Sequence, residues 1–245
     1  MHAVTCRYGV AATDIPPPMT AATANPGRRR FLRWGLRALL AFTAFLVVGN
    51  LLISAASGSA VVLRPDPAIA PIPGVAHTRR VDDKVIRGSA PSSAESYVAM
   101  AGRGITTIVD LRAEHGLNPP TQLLAALGIQ RISIPIRDGQ TPTPAQVSQF
   151  VAIVANAPGK VFVHCGAGVG RTGAMAAAYL VGTGQEDGWE ALGANLGVGP
   201  PSLEQIWYVL HLDAGTTLEH QPPLVISAIS RTLDAPRRIW SVLTG

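Results

Sequence analysis

The stretch "VFVHCGAGVGRTG" (Val161–Gly173) gathers one histidine, one cysteine and one arginine around a glycine-rich turn. Glycines at 166, 168 and 170 let the backbone curl so that successive N–H groups point inward, a nest for an anion. The turn feeds a helix expected over Thr172–Val181, whose positive end favours negative charge at the same point. Arg171 adds a planar guanidinium that grips two oxygens at once. Cys165 sits at the base of this cradle, in the electropositive surroundings where cysteines act as nucleophiles. A tetrahedral oxyanion held above a sulfur is an arrangement for attack on phosphorus.

The bland role for Cys165 is buried filler, but the glycines beside it would then lack a purpose. Its redox chemistry is constrained by number. Cys6 lies in an Ala/Thr/Pro-rich segment, so Cys165 is alone in the part of the chain built to fold. One cysteine forms no internal disulfide, and no CxxC pair or His/Cys cluster points to zinc.

"HCGAGVGRTG" matches the HCxxGxxR[ST]G signature of the protein tyrosine phosphatase superfamily at every fixed position, and the chain resembles its small bacterial and fungal dual-specificity-like branch. "VIRGSAPS", "IVDLRAEHG" and "IPIRDGQTPT" resemble further segments of that branch, and the likeness runs over roughly residues 79–213. The resemblance implies that Cys165 attacks phosphorus. Arg171 and the backbone N–H groups of Gly166, Ala167, Gly168, Val169, Gly170 and Arg171 bind the phosphoryl oxygens. Thr172 hydrogen-bonds the sulfur and assists its departure, and His164 orients the loop. Asp138 protonates the leaving oxygen and then activates water. No metal or organic cofactor is implied. Asp110 and Glu114 are rival acids, with Asp110 inside a buried strand and suited to structural hydrogen bonding. Arg112 and His115 are weaker candidates for substrate contact, and Trp189 and Trp207 are expected in the core.

The elements that must carry these groups alternate. Strands are expected at "KVIRGSAP", Thr106–Arg112, Gln130–Ile136 and Lys160–Cys165. Helices are expected at Ser92–Arg103, Thr121–Leu127, from Thr143 as N-cap with Pro144 behind it, at Gln185–Asn195 and at Ser202–Leu212. The fold class is therefore α/β: a mostly parallel sheet of about four to five strands flanked by helices, preceded by one transmembrane helix.

Hydrophobic residues make up 47% of the 245, enough for a core. The net charge of +5 belongs wholly to residues 1–37, which hold six arginines and one acid, leaving the remainder neutral. A nucleic-acid partner, which needs a basic face on the folded domain, is excluded on that ground. Residues 1–37 read as a basic, disordered cytoplasmic leader. Residues 38–63 carry no charge and are long enough for a membrane span or signal anchor. Residues 64–78, with "RPDPAIAPIPG", read as a stiff proline-rich linker. Residues 79–213 form the phosphatase-like domain, and 214–245 a tail that packs or is disordered, with an amphipathic helix on a membrane surface as the alternative.

"RRRFLR" (Arg28–Arg33) fits a twin-arginine export pattern, and arginines on that flank orient an uncleaved helix with its amino terminus in the cytoplasm. Both routes place the domain on the outer side of the cytoplasmic membrane. The substrates implied are a phosphorylated protein, on phosphotyrosine or with dual specificity, or a phospholipid such as a phosphoinositide or phosphatidylglycerophosphate. Neutral Gly166 and Val169, where phosphoinositide phosphatases often carry lysines, favour protein. A catalytically inactive phosphate-binding module is the competing class.

Overall fold

The computed structural model describes residues 26–63, 69–114, 121–213 and 221–244. The chain divides into two compact units, Met1–Thr43 and Ala44–Gly245. Helix α1 (Pro26–Leu63) supplies the described residues of the first unit and the start of the second. It begins at Pro26 rather than at Ala38, because the arginines are interleaved with Phe, Leu and Trp, which continue a helix as well as the apolar run does. Arg30–Ala55 is apolar, with mean hydropathy 2.2, and nearly all of its side chains are exposed, Ile53 excepted. Its polar side chains satisfy themselves: Thr43 Oγ1 donates to the Leu39 carbonyl and Asn50 Nδ2 to that of Leu46, both at 2.9 Å. Such a helix meets the requirement for a membrane span or for a signal sequence.

In the second unit five strands form one sheet: β1 (Arg79–Arg80), β2 (Val85–Gly88), β3 (Ile105–Arg112), β4 (Gln130–Ile136) and β5 (Lys160–His164), in the order β1-β2-β5-β3-β4. All neighbours pair parallel except β1 with β2. The central strands are β-branched and buried, and their side chains alternate between two cores. Val85, Val109, Val161 and Val163 face α4 (Pro144–Asn156) and α5 (Gly170–Gly182) through Phe150 and Met175. Ile86, Ile108 and Phe162 face the other way, towards Met100 of α2 (Ala94–Gly102) and Leu124 of α3 (Thr121–Ala126). Thr143 caps α4 through a reciprocal bond with Gln146, as its position before Pro144 predicts.

Two further expectations change. The segment expected as a stiff linker is part of the domain from Ile69 on: Ile72 and Val75 are buried in the second core, and Arg103 donates to the carbonyls of Ala70 and Pro71 at 2.6 and 2.7 Å. Apolar side chains between prolines cover the sheet, and burial outweighs the extended preference of the prolines. Residues 64–68 of that segment lie outside the described residues. Trp189 is 70% exposed rather than core, because Gly188, Ala191 and Asn195 take the inner face of α6 (Gly188–Leu196); Trp207 is half-buried on α7 (Leu203–Leu210), stacked on His211 at 3.9 Å. The tail forms α8 (Leu224–Thr244), packed against α7.

Candidate active site

Cys165 follows β5 directly, at the point where the central strand ends and the chain turns into α5. The loop from 165 to 169 owes its shape to its carbonyls. The Cys165 carbonyl accepts from His164 Nδ1–H at 3.0 Å, and that of Gly166 from the Ala90 N–H at 2.9 Å. His77 Nδ1–H donates to the Ala167 carbonyl at 2.9 Å, and Arg87 donates to those of Gly168 and Val169 at 2.7 and 3.3 Å. In a trans peptide C=O and N–H point in opposite directions. Five carbonyls tied outward therefore turn the N–H groups of residues 166–170 inward. Gly168 shows the result, since its N–H meets Cys165 Sγ at 3.3 Å. Gly168 must be glycine twice over: its φ is +73°, and a Cβ would strike the backbone of Gly88 and Ser89. The first N–H groups of α5 extend the same nest.

Arg171 lies in the first turn of α5, 5% exposed. Glu114 grips it bidentately, Nη1 to Oε2 at 2.6 Å and Nη2 to Oε1 at 2.8 Å, while Nη1 also donates to the Ile136 carbonyl at 3.2 Å. Burial disfavours the charged guanidinium, but the hydrogen bonds to Glu114 and the charges of the surrounding carboxylates together outweigh it and raise the Arg171 pKa further. Burial likewise pushes Glu114 up, and the bond from Arg171, a backbone hydrogen bond and the charges of Arg171 and Arg112 together hold it below the usual range. Two buried polar atoms here have no protein partner, Arg171 Nε and Thr172 Oγ1. Buried donors of this kind call for a ligand. Thr172 thus lacks the bond to sulfur that the family resemblance implies; the sulfur's contact is with Gly168.

Asp138, on the turn after β4, places Oδ1 3.2 Å from Arg171 Nη2 and is 66% exposed. With Gly139, Cys165, Ala167, Arg171 and Gln205 it lines a pocket of about 250 Å³. Asp110, by contrast, is 1% exposed, bound by Arg112 and Arg131 at 2.8 and 2.7 Å, with His164 Nε2 3.9 Å away. Burial alone would raise its pKa, yet these hydrogen bonds hold the carboxyl well below the usual range. Burial also lowers the His164 pKa and keeps the ring neutral, against the pull of Asp110. Arg112 is committed to Asp110, and His115 lies outside the described residues.

Four contributors were not foreseen. Arg87 is the largest side chain buried below 2% exposure, and its sequence signal was a cation inside the apolar strand "VIRG". It also donates to Asn195 O and Oδ1 at 2.5 and 3.2 Å. His77 adopts φ +55°, rare for a side-chain-bearing residue, and had no local signal. Glu114 was weighed as an acid and proves to be the partner of Arg171. Asp234, 6% exposed, reaches the pocket wall from α8.

A family model described as "DSP-PTPase phosphatase fused to NAD+ Kinase" matches residues 74–195, which include the whole loop and its anchors. Human "Dual specificity protein phosphatase CDC14C" is 34% identical over 90 residues, and "Tyrosine-protein phosphatase CDC14" of Saccharomyces cerevisiae is 34% identical over 94. The chain belongs to the protein tyrosine phosphatase superfamily. The matches to these relatives take in 36% and 35% of this chain, but only 20% and 16% of the relatives' own length. Among solved structures, P. aeruginosa TpbA aligns over 73% of this chain and 99% of its own at 20% identity, with a TM-score of 0.47. Tk-PTP in its active form aligns over 56% and 94% at 20% identity, with a TM-score of 0.45.

Proposed function

We propose that this chain is a phosphomonoester hydrolase that works through a cysteinyl-phosphate, acting on phosphotyrosine or with dual specificity on phosphoproteins. The observation that carries the reading is the set of five outward-tied carbonyls, which aims a ring of N–H groups over Cys165 Sγ beside a buried Arg171. In the first step Sγ attacks phosphorus, the P–O bond to the leaving group breaks, and Asp138 gives that oxygen its proton. In the second, water attacks phosphorus, Asp138 takes the water's proton, and the P–S bond breaks to return the thiolate. Arg171 and the loop N–H groups hold the equatorial oxygens, whose charge is spread in the transition state. Glu114 keeps the guanidinium plane fixed between steps, and Thr172 Oγ1, buried and unpartnered, turns to the departing sulfur in the second step.

The deciding experiment is Cys165→Ser. The variant is expected to lose turnover of an aryl phosphate and to keep phosphate or vanadate binding, because a serine hydroxyl stays protonated there. Turnover near the parent's overturns the mechanism. Loss of hydrolysis in the parent protein as well would leave the inactive phosphate-binding class standing. A panel of phosphopeptides, phosphoinositides and phosphatidylglycerophosphate separates protein from lipid substrates.

The enzyme is held at the cytoplasmic membrane by α1 as a single pass, with the domain on the outer side. The arginines of 28–37 and the length of the apolar run support this orientation. Protease treatment of spheroplasts tests it: a domain protected until the membrane is broken reverses the assignment.

A further inference from the structure

Helix α8 is amphipathic, but its polarity is reversed with respect to the domain it packs on. The face turned inward consists of Ser227, Ser230, Leu233 and Asp234, all under 9% exposed. Ser230 Oγ accepts from the Glu204 N–H at 3.1 Å and donates to Asp234 at 3.4 Å, so polar contacts hold the helix to α7. Val225, Ile229 and Ile239 fall within about 80° of arc on the opposite side, exposed to 67%, 36% and 60%. Burial of apolar surface would normally dock such a helix the other way round. Thr232, inside the apolar arc, folds its hydroxyl back onto the Ala228 carbonyl at 2.9 Å, as Thr43 does in α1.

The same helix touches the end of the apolar span. Asn50 Nδ2 donates to the Leu233 carbonyl at 3.2 Å, and Gly49 admits the Leu233 side chain, whose Cδ2 would lie 2.6 Å from a Cβ at that position. Asn50 is five residues before Ala55, where the apolar run ends. A helix fixed there, with exposed apolar side chains on its outward face, has the bilayer interface as its neighbour. We infer that α8 lies in the lipid headgroup region, with Val225, Ile229 and Ile239 inserted, and so seats the phosphatase pocket, one wall of which is Asp234 of this helix, at the membrane surface. The inference rests on the reading of α1 as a membrane anchor.

The test is spin-label depth measurement on the full chain in phosphatidylglycerol/phosphatidylethanolamine proteoliposomes. Cys6 and Cys165 are replaced by serine, and single cysteines are placed in turn at Val225, Ile229, Ile239, Arg231 and Leu40. Labels at the three apolar positions are expected to favour oxygen over a water-soluble nickel reagent, at a depth of about 5–10 Å, while Arg231, exposed off the arc, stays open to nickel. The Leu40 label reports the anchor independently. Lipid exposure at Leu40 with nickel-accessible α8 labels overturns the inference and leaves the anchor intact. Nickel access at Leu40 overturns the anchor reading and the inference with it. Labels on α8 shielded from both reagents mean a protein partner covers this face, and that also overturns the inference.

Discussion

Arg87→Lys isolates the role of the side chain that shapes the loop without touching substrate. Arg87 makes four donor contacts in two directions, to Gly168 and Val169 on one side and to both oxygens of Asn195 on the other. An ammonium keeps the charge but has no fork, so it serves one side at a time. If the loop side is lost, the peptide plane that aims the Val169 N–H is released, whereas the next plane keeps the bond from the Gly173 N–H to the Val169 carbonyl at 2.9 Å. Hydrogen bonds to a charged donor contribute roughly 1.5–3 kcal/mol each, so loss of the two on one side is expected to cost about 3–6 kcal/mol by denaturant titration. The catalytic effect follows from the freed donor: removing one preorganised oxyanion donor costs ~10²–10³ in rate. We therefore expect kcat/KM for an aryl phosphate to fall by that factor, with vanadate inhibition weakened in parallel. A folded Arg87→Lys protein with kcat/KM within about threefold of the parent would refute the account of how the nest is built.

Arg171→Lys should lose most activity, since an ammonium cannot face Glu114 and a phosphoryl group together; the purified variant's single-turnover rate checks this. Asp138→Asn should lose ~10²–10⁴-fold with poor leaving groups and less with a nitrophenyl ester; an equal, small loss across a leaving-group series would move the acid elsewhere. Glu114→Ala is expected to cost ~10–10²-fold in kcat/KM by releasing the guanidinium plane, and unchanged kinetics would remove its positioning role. Asp110, whose folded pKa is depressed, contributes stability that is present above its unfolded value near ~3.9 and is lost as pH falls below it. Asp110→Asn should cost ~2–4 kcal/mol at pH 7, below the ~3–5 of a fully buried pair, because Arg131 is a third exposed. The same substitution should flatten the acid limb of the stability curve, and an unchanged limb would assign acid sensitivity to other carboxylates.

What could be read from sequence was what is local. The strands announce themselves through β-branched runs, the loop through alternating glycines after a strand, and Asp138 through a turn ahead of a capped helix. Contacts across the chain left weaker marks. Arg87 was visible only as a cation out of place in an apolar strand. His77 and Ala90 act through single hydrogen bonds, which no residue type advertises. Ile72 and Val75 were hidden by prolines that suggest an extended spacer. Asp234 reaches the pocket from a helix beyond the region of resemblance, where periodicity shows an amphipathic helix but not which face turns inward. Trp189 was misplaced because neighbours on one helical turn differ by 100° in direction, and only packing decides which of them is inside.

The anchors of the loop come from the segment before β1, from β2, from the turn after it and from β5, separated from the carbonyls they hold by up to 90 residues. Such contacts close late in folding, because chain entropy must be spent on the long loops before they return anything. The anion site is thus a property of the finished domain and is absent from partly folded chains. An oxyanion that binds only the finished form must then act on the folding equilibrium itself. Inorganic phosphate at a hundred times its dissociation constant would add about 2.7 kcal/mol to the native state. Under the proposed function, the product of the reaction doubles as a stabiliser of the fold.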